Sequence, residues 1–173
     1  MDGPTMFRPE TARRKRVAMA IGAGDRAPDF DLEVDHESRV ALGDFLGRSN
    51  LLLVFHPLAF TPTCAEEAQD LEENLESFRN AQTDIVFVSC DTSAARQAWK
   101  KELGVSYTFA SDFWQHGAAA RAYGVFDESS GLPLRGTFLI DRDGNVIWSL
   151  VKGLDEKRDE MVEQSLGTLS GRG

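Results

Sequence analysis

The sequence predicts an α/β layer fold, a mixed central sheet flanked by helices. Two continuous apolar runs, at 50–55 and 84–90, read as strands covered on both faces. Between them Ala68, Leu71, Leu75 and Phe78 recur at helical spacing with acids in the gaps. Near the C-terminus two apolar segments flank Asp143-Gly144, a hairpin signal, so antiparallel strands join the parallel ones.

The elements follow in order. Residues 27–34 alternate apolar and polar, as an early strand does. The run at 50–55 is the first buried strand, and a helix is expected from Ala65 through Phe78. The run at 84–90 is the second buried strand. Residues 93–103 read as a helix closed by Gly104, and 116–123 as a short helix ended by Gly124. Strands at 137–140 and 146–150 enclose the 141–145 turn, and 155–169 reads as a final amphipathic helix.

The chain has 173 residues, enough for one domain with a substantial core, and it contains no repeat or low-complexity linker. Two cysteines, Cys64 and Cys90, are too few for a disulfide scaffold or a four-thiolate zinc site. His36 and His116 share no ligand spacing, which argues against a metal. The net charge of −9 argues against a nucleic-acid surface, and no apolar run approaches the ~20 residues of a membrane span. Charge is uneven: the first 16 residues carry +3, leaving −12 on residues 17–173. The apolar stretch at 17–21 is short for a signal peptide. Residues 1–21 are therefore read as a disordered basic leader, or as sequence upstream of a start at Met19, and 22–173 as the domain. The expected location is the cytoplasm, where free thiols persist.

Chemistry concentrates after the first buried strand, in His56-Pro57-Leu-Ala-Phe-Thr61-Pro62-Thr63-Cys64-Ala-Glu66-Glu67. Either Thr61 caps a helix with Pro62 at its first position, or Thr63 and Glu66 form a capping box. Both place Cys64 in the first turn, where free N–H groups and the positive helix end favour a thiolate. The plainer alternative is a small buried hydrophobe. Thr61 stands where a C-x-x-C motif would have its first sulfur, so Cys64 can form a sulfenic acid but no disulfide within the motif. Arg135 precedes the 137–140 strand, at a point that such a sheet could bring beside the helix start.

Pro57-x-x-x-Thr61-x-x-Cys64, with Arg135 in Arg-Gly-Thr-Phe-Leu-Ile-Asp, resembles the active-site signature of the peroxiredoxins. The segments 57–61, 111–117 and 122–126 look most like the one-cysteine, AhpE-type branch, and the likeness spans about residues 22–165. The resemblance implies a thioredoxin-like fold and a thiol peroxidase acting on hydrogen peroxide, organic hydroperoxides or peroxynitrite. It implies Cys64 as the attacking thiolate and Arg135 and Thr61 as donors to the peroxide. Thr63 and Cys64 would add backbone N–H groups, and Pro57 would exclude water. It implies no metal or organic cofactor, an external thiol or redoxin as reductant, and a homodimer. A thiol-based redox sensor, or a related protein with an altered substrate, is the competing expectation.

Other residues carry two readings each. Cys90 is a core thiol, or a resolving cysteine. His56 stands where relatives carry an aromatic residue, and either packs as one or tunes the pocket. Glu67 orients Arg135 through a bidentate pair, or is a solvated acid. Phe113 and Trp114 read first as core, then as pocket or interface residues.

Overall fold

The computed structural model describes residues 20–172, so the leader assigned to 1–21 falls mostly outside the described residues. Its last two positions, Ala20 and Ile21, pack against the core. The strands are β1 (Asp31–Asp35), β2 (Ser38–Ala41), β3 (Asn50–Phe55), β4 (Thr83–Ser89), β5 (Thr108–Ser111), β6 (Phe126–Asp127), β7 (Leu132–Pro133), β8 (Arg135–Ile140) and β9 (Val146–Lys152). The helices are α1 (Pro62–Glu73), α2 (Leu75–Asn80), α3 (Ser93–Leu103), α4 (Ala118–Ala122) and α5 (Met161–Arg172). Seven strands form one sheet in the order β2-β1-β5-β4-β3-β8-β9, and β6-β7 make a separate ribbon. β3, β4 and β5 run parallel, while β8 is antiparallel to β3 and β9 to β8. This is the thioredoxin-like mixed sheet that the resemblance implies. No helix among the described residues is long and apolar enough to cross a membrane.

The continuous apolar runs are explained by two cores. Leu51, Leu53, Phe55, Val86 and Val88 face one side, against Tyr123, Val125 and Phe138. Leu52, Val54, Ile85 and Phe87 face the other, against Leu71 of α1, Phe78 of α2, Trp99 of α3 and Met161 of α5. Each fully buried side chain of this size contributes roughly 1.5–3 kcal/mol, which is why 51–55 and 85–88 are apolar on both faces, with the buried polar residues Thr83 and Ser89 confined to the ends of β4.

Several boundaries differ from expectation. Ladder pairing begins at Asp31 rather than 27. The segment before it is held by single bonds instead: Ala27 N donates to Gly144 O, and Tyr123 Oη to Pro28 O. The helix expected through Phe78 breaks at Asn74, whose Nδ2 donates to Asp70 O at 2.8 Å. An Asn side chain competes in this way for helix carbonyls. The final helix starts at Met161, not 155, because the preceding loop carries Arg158 into the interior. β2 and β5, too short and too polar to register as runs, complete the sheet. Phe113 and Trp114 are not core: they are 47% and 82% exposed.

The topology fixes the site. Antiparallel pairing of Val54 with Thr137 sets the start of β8 beside the exit of β3. Arg135 thus meets the loop that leads into α1.

Candidate active site

Thr61 is the N-cap residue of α1, with Pro62 at its first position, so Cys64 is in the first turn. The Thr61 hydroxyl makes no cap bond; Oγ1 donates to Leu58 O at 2.8 Å and folds the loop on itself. Thr63 is half-buried beside it, and Pro57 is buried at the strand exit. Cys64 is fully buried. Arg135, 4% exposed, donates from Nη1 to Cys64 Sγ at 3.3 Å and from Nε to Leu154 O at 2.9 Å.

The same Nη1 donates to Glu67 Oε1 at 2.6 Å. Glu67 is fully buried one turn after Cys64, which removes the solvated-acid reading. Its contact with Arg135 is through one oxygen. The bidentate partner is Arg158, a residue that sequence reasoning did not single out. Arg158 Nε and backbone N donate to Oε2 at 3.0 and 2.8 Å, and Nη2 donates to Oε1 at 2.8 Å. Arg158 Nη1 also donates to Gly136 O at 3.1 Å and Thr137 Oγ1 at 2.9 Å, on the strand that carries Arg135. Burial pushes the Glu67 carboxyl up, but the hydrogen bonds and charge of Arg158, with the charge of Arg135, outweigh it and hold it below the usual range. The cluster holds two guanidinium charges against one carboxylate. That leaves one positive charge uncompensated beside Cys64 Sγ.

His56 lies on the Cys64 side of the sheet and stacks on Phe87 with ring centroids 4.1 Å apart, the packing place of an aromatic. Its Nε2 is 2.6 Å from Nη1 of Arg96, also fully buried. A guanidinium only donates, so Nε2 accepts and the ring proton sits on Nδ1, which has no partner among the described residues. Burial, then the charges of Arg96, Arg158 and Arg135, pushes His56 well below its ordinary value and keeps it neutral. Arg96 is held by Phe87 O and Ala110 O and lies over the Phe109 ring.

Cys90 belongs to the opposite core, across the sheet from Cys64. Burial, reinforced by Asp112 and Asp91, pushes its thiol up to about 12, so it stays protonated.

Arg96 was legible in principle, because it shares the buried stripe of α3 with Trp99 at i+3. Arg158 had no such signal. It sits in a run of acids and bases at 155–160 that reads as a solvated surface.

These shifts set a pH dependence. A depressed Glu67 adds stability that is present above its unfolded value of 4.5 and lost as pH falls through the folded one. A depressed His56 likewise adds stability above 6.5 that is lost as pH falls below it, because only the unfolded chain takes up the proton readily. Unfolding stability of the wild type is expected to drop from pH 7 to 5, and His56→Phe, which keeps the stacking, is expected to flatten that drop. Urea melts at pH 5, 6 and 7 check this; an unchanged slope in the variant excludes His56 as its source.

The chain matches the AhpC/TSA family over residues 23–149. Alkyl hydroperoxide reductase E of Mycobacterium tuberculosis is 38% identical over 142 residues, covering 82% of this chain and 93% of that protein. The reduced 2-Cys peroxiredoxin of Plasmodium vivax superposes with a TM-score of 0.77 at 30% identity, covering 86% of this chain and 80% of that one. Peroxidoxin BcpB of Mycobacterium tuberculosis superposes with a TM-score of 0.78 at 26% identity, covering 87% and 97%. With a family match that spans most of the chain and relatives aligned along nearly their full length, the chain belongs to the AhpC/TSA family, the peroxiredoxins.

Proposed function

We propose that Cys64 is the nucleophile of this thiol-dependent peroxidase and that Arg135, Thr61, Pro57 and Thr63 form its peroxide site. The observation that carries the reading is the Arg135 Nη1 contact with Cys64 Sγ at 3.3 Å in the first turn of α1. The thiolate attacks the terminal oxygen of a hydroperoxide. An S–O bond forms as the O–O bond breaks, giving Cys64 sulfenic acid and an alkoxide or hydroxide that takes a proton from water. Sulfur loses two electrons and the peroxide gains them. Negative charge moves from sulfur onto the two oxygens in the transition state. Fixed donors there stabilise it more than the ground state. Arg135 supplies a permanent charge with several donors in fixed geometry, which a lysine could not reproduce. Glu67 and Arg158 hold it in place.

Hydrogen peroxide or an organic hydroperoxide is the substrate, and an external thiol or redoxin is the reductant. The place of Cys90 across the sheet, with burial pushing its thiol up to about 12, supports a reductant from outside the chain. Leu58 and Phe60 in the loop before α1, and Phe113 and Trp114 in the loop after β5, are large apolar side chains 42%, 55%, 47% and 82% exposed, which supports a homodimer that covers these loops. Two unpaired thiols suit a reducing compartment such as the cytoplasm.

Stopped-flow peroxide consumption tests the reading. Cys64→Ser is expected to abolish the reaction, and Arg135→Ala to slow it about 10²–10³-fold, as loss of a transition-state donor does. An unchanged rate in either variant sinks the assignment.

Intact mass after one equivalent of peroxide separates the cysteines. A gain of about 16 Da, equal in wild type and Cys90→Ser, is expected for a sulfenic acid on Cys64. A loss of about 2 Da that disappears in Cys90→Ser would instead make Cys90 the resolving thiol.

A further inference from the structure

Cys64 is fully buried, yet its sulfenic acid has to meet a thiol much bulkier than a peroxide. The segment between β3 and α1 therefore moves during turnover, and what holds it closed decides how often it does. Inside the segment, Thr61 Oγ1 bonds only to Leu58 O. The hydrogen bond that ties residues 57–61 to a distant part of the chain is from Ala59 N to Asp91 Oδ2, at 2.8 Å. Asp91 is itself fixed to the ends of two sheet strands. Ser89 Oγ donates to the same oxygen at 2.5 Å, and Ser111 Oγ donates to Asp91 O at 2.5 Å. Next to Ala59, Phe60 has φ 63, a left-handed backbone that a non-glycine residue adopts only under constraint. The closed loop is thus strained at one residue and latched at its neighbour.

We propose that Asp91 is a positioning residue: its carboxylate latches the 57–61 loop over Cys64, and release of the Ala59 N–H opens the sulfur to the reductant. The closed loop holds Pro57 at the exit of β3 and Thr61 at the cap of the helix that carries Cys64, so it serves the peroxide step. The same closure obstructs the thiol step. The latch therefore acts on the two half-reactions in opposite directions, which general structural support does not do. The inference rests on Cys64 as the reacting sulfur, but the latch itself has a separate readout in amide exchange.

Asp91→Ala and Asp91→Asn test it, the latter keeping an oxygen that can accept from Ala59. In Asp91→Ala, exchange of the Ala59–Thr61 amides is expected to quicken by more than about tenfold, the scale of a lost hydrogen bond to a charged group. Peroxide oxidation of Cys64 is expected to slow by a similar factor. Reduction of preformed sulfenic acid by the chromogenic thiol 5-thio-2-nitrobenzoate is expected to speed up. Asp91→Asn is expected to restore most of all three. Unchanged amide exchange, half-reactions that shift in the same direction, or failure of Asp91→Asn to restore them would each overturn the latch. Wild-type protein whose Cys64 ignores peroxide would overturn the proposed activity instead, and the exchange measurement would still decide on Asp91.

Discussion

The buried carboxylate of Glu67, gripped by two arginines, is the interaction on which the site depends. Removing three charged groups from water is expensive, and a buried pair holds only when its geometry is good and its remaining donors are used. Here both Glu67 oxygens are taken, and Arg158 spends its other donors on Gly136 O and Thr137 Oγ1. The consequence is positional. Arg135 is braced from the loop after β9 by Leu154 O and from α1 by Glu67, so its remaining reach is toward Cys64. A solvent-exposed arginine on a flexible stem would lose that aim.

This cluster could form only in a mixed sheet. A parallel strand in the place of β8 would start at the far end of β3 and deliver Arg135 to the wrong edge. The antiparallel register, with Val54 opposite Thr137, puts the first residue of β8 at the exit of β3. The loop before α5 then crosses over the same end and drops Arg158 between β8 and α1. Both cores are needed as well. The alternation of β4, continued one residue past its end, sends Cys90 to one face, and α1 covers the other, so one sheet separates the two sulfurs.

Much of this was legible because it was periodic or local. The runs at 50–55 and 84–90 marked the buried strands almost to the residue, and of the two helix starts that the sequence left open, the structure takes the one with Thr61 as N-cap and Pro62 first. Gly104, with φ 71, closed α3 as its position suggested. Pro57, Thr61, Cys64 and Arg135 were identifiable by spacing and likeness, and the structure brings Cys64 and Arg135 into contact. What remained hidden depended on tertiary context. Arg158 is one cation among six charged residues in a row, and only the fold shows which of them points inward. The break at Asn74 turns on a single side-chain bond that leaves the apolar stripe intact. Trp114 looked like core by composition alone, because a sequence cannot distinguish an apolar residue under a lid from one on an open face.

The charges around the sulfur have a further property in common. Arg135 and Arg158 are permanent cations. Glu67 is held below the usual carboxylate range, and His56, the one side chain there whose ordinary value lies near neutrality, is driven well below it. Arg96 enforces this by offering His56 only donors, and burial makes a second positive charge beside it costly. None of these neighbours changes charge near neutral pH, so the field at Cys64 is constant there, which suits the chemistry proposed for that sulfur. A histidine free to titrate would have tied that field to pH. Stacked on Phe87 and capped by Arg96, His56 packs as an aromatic residue does.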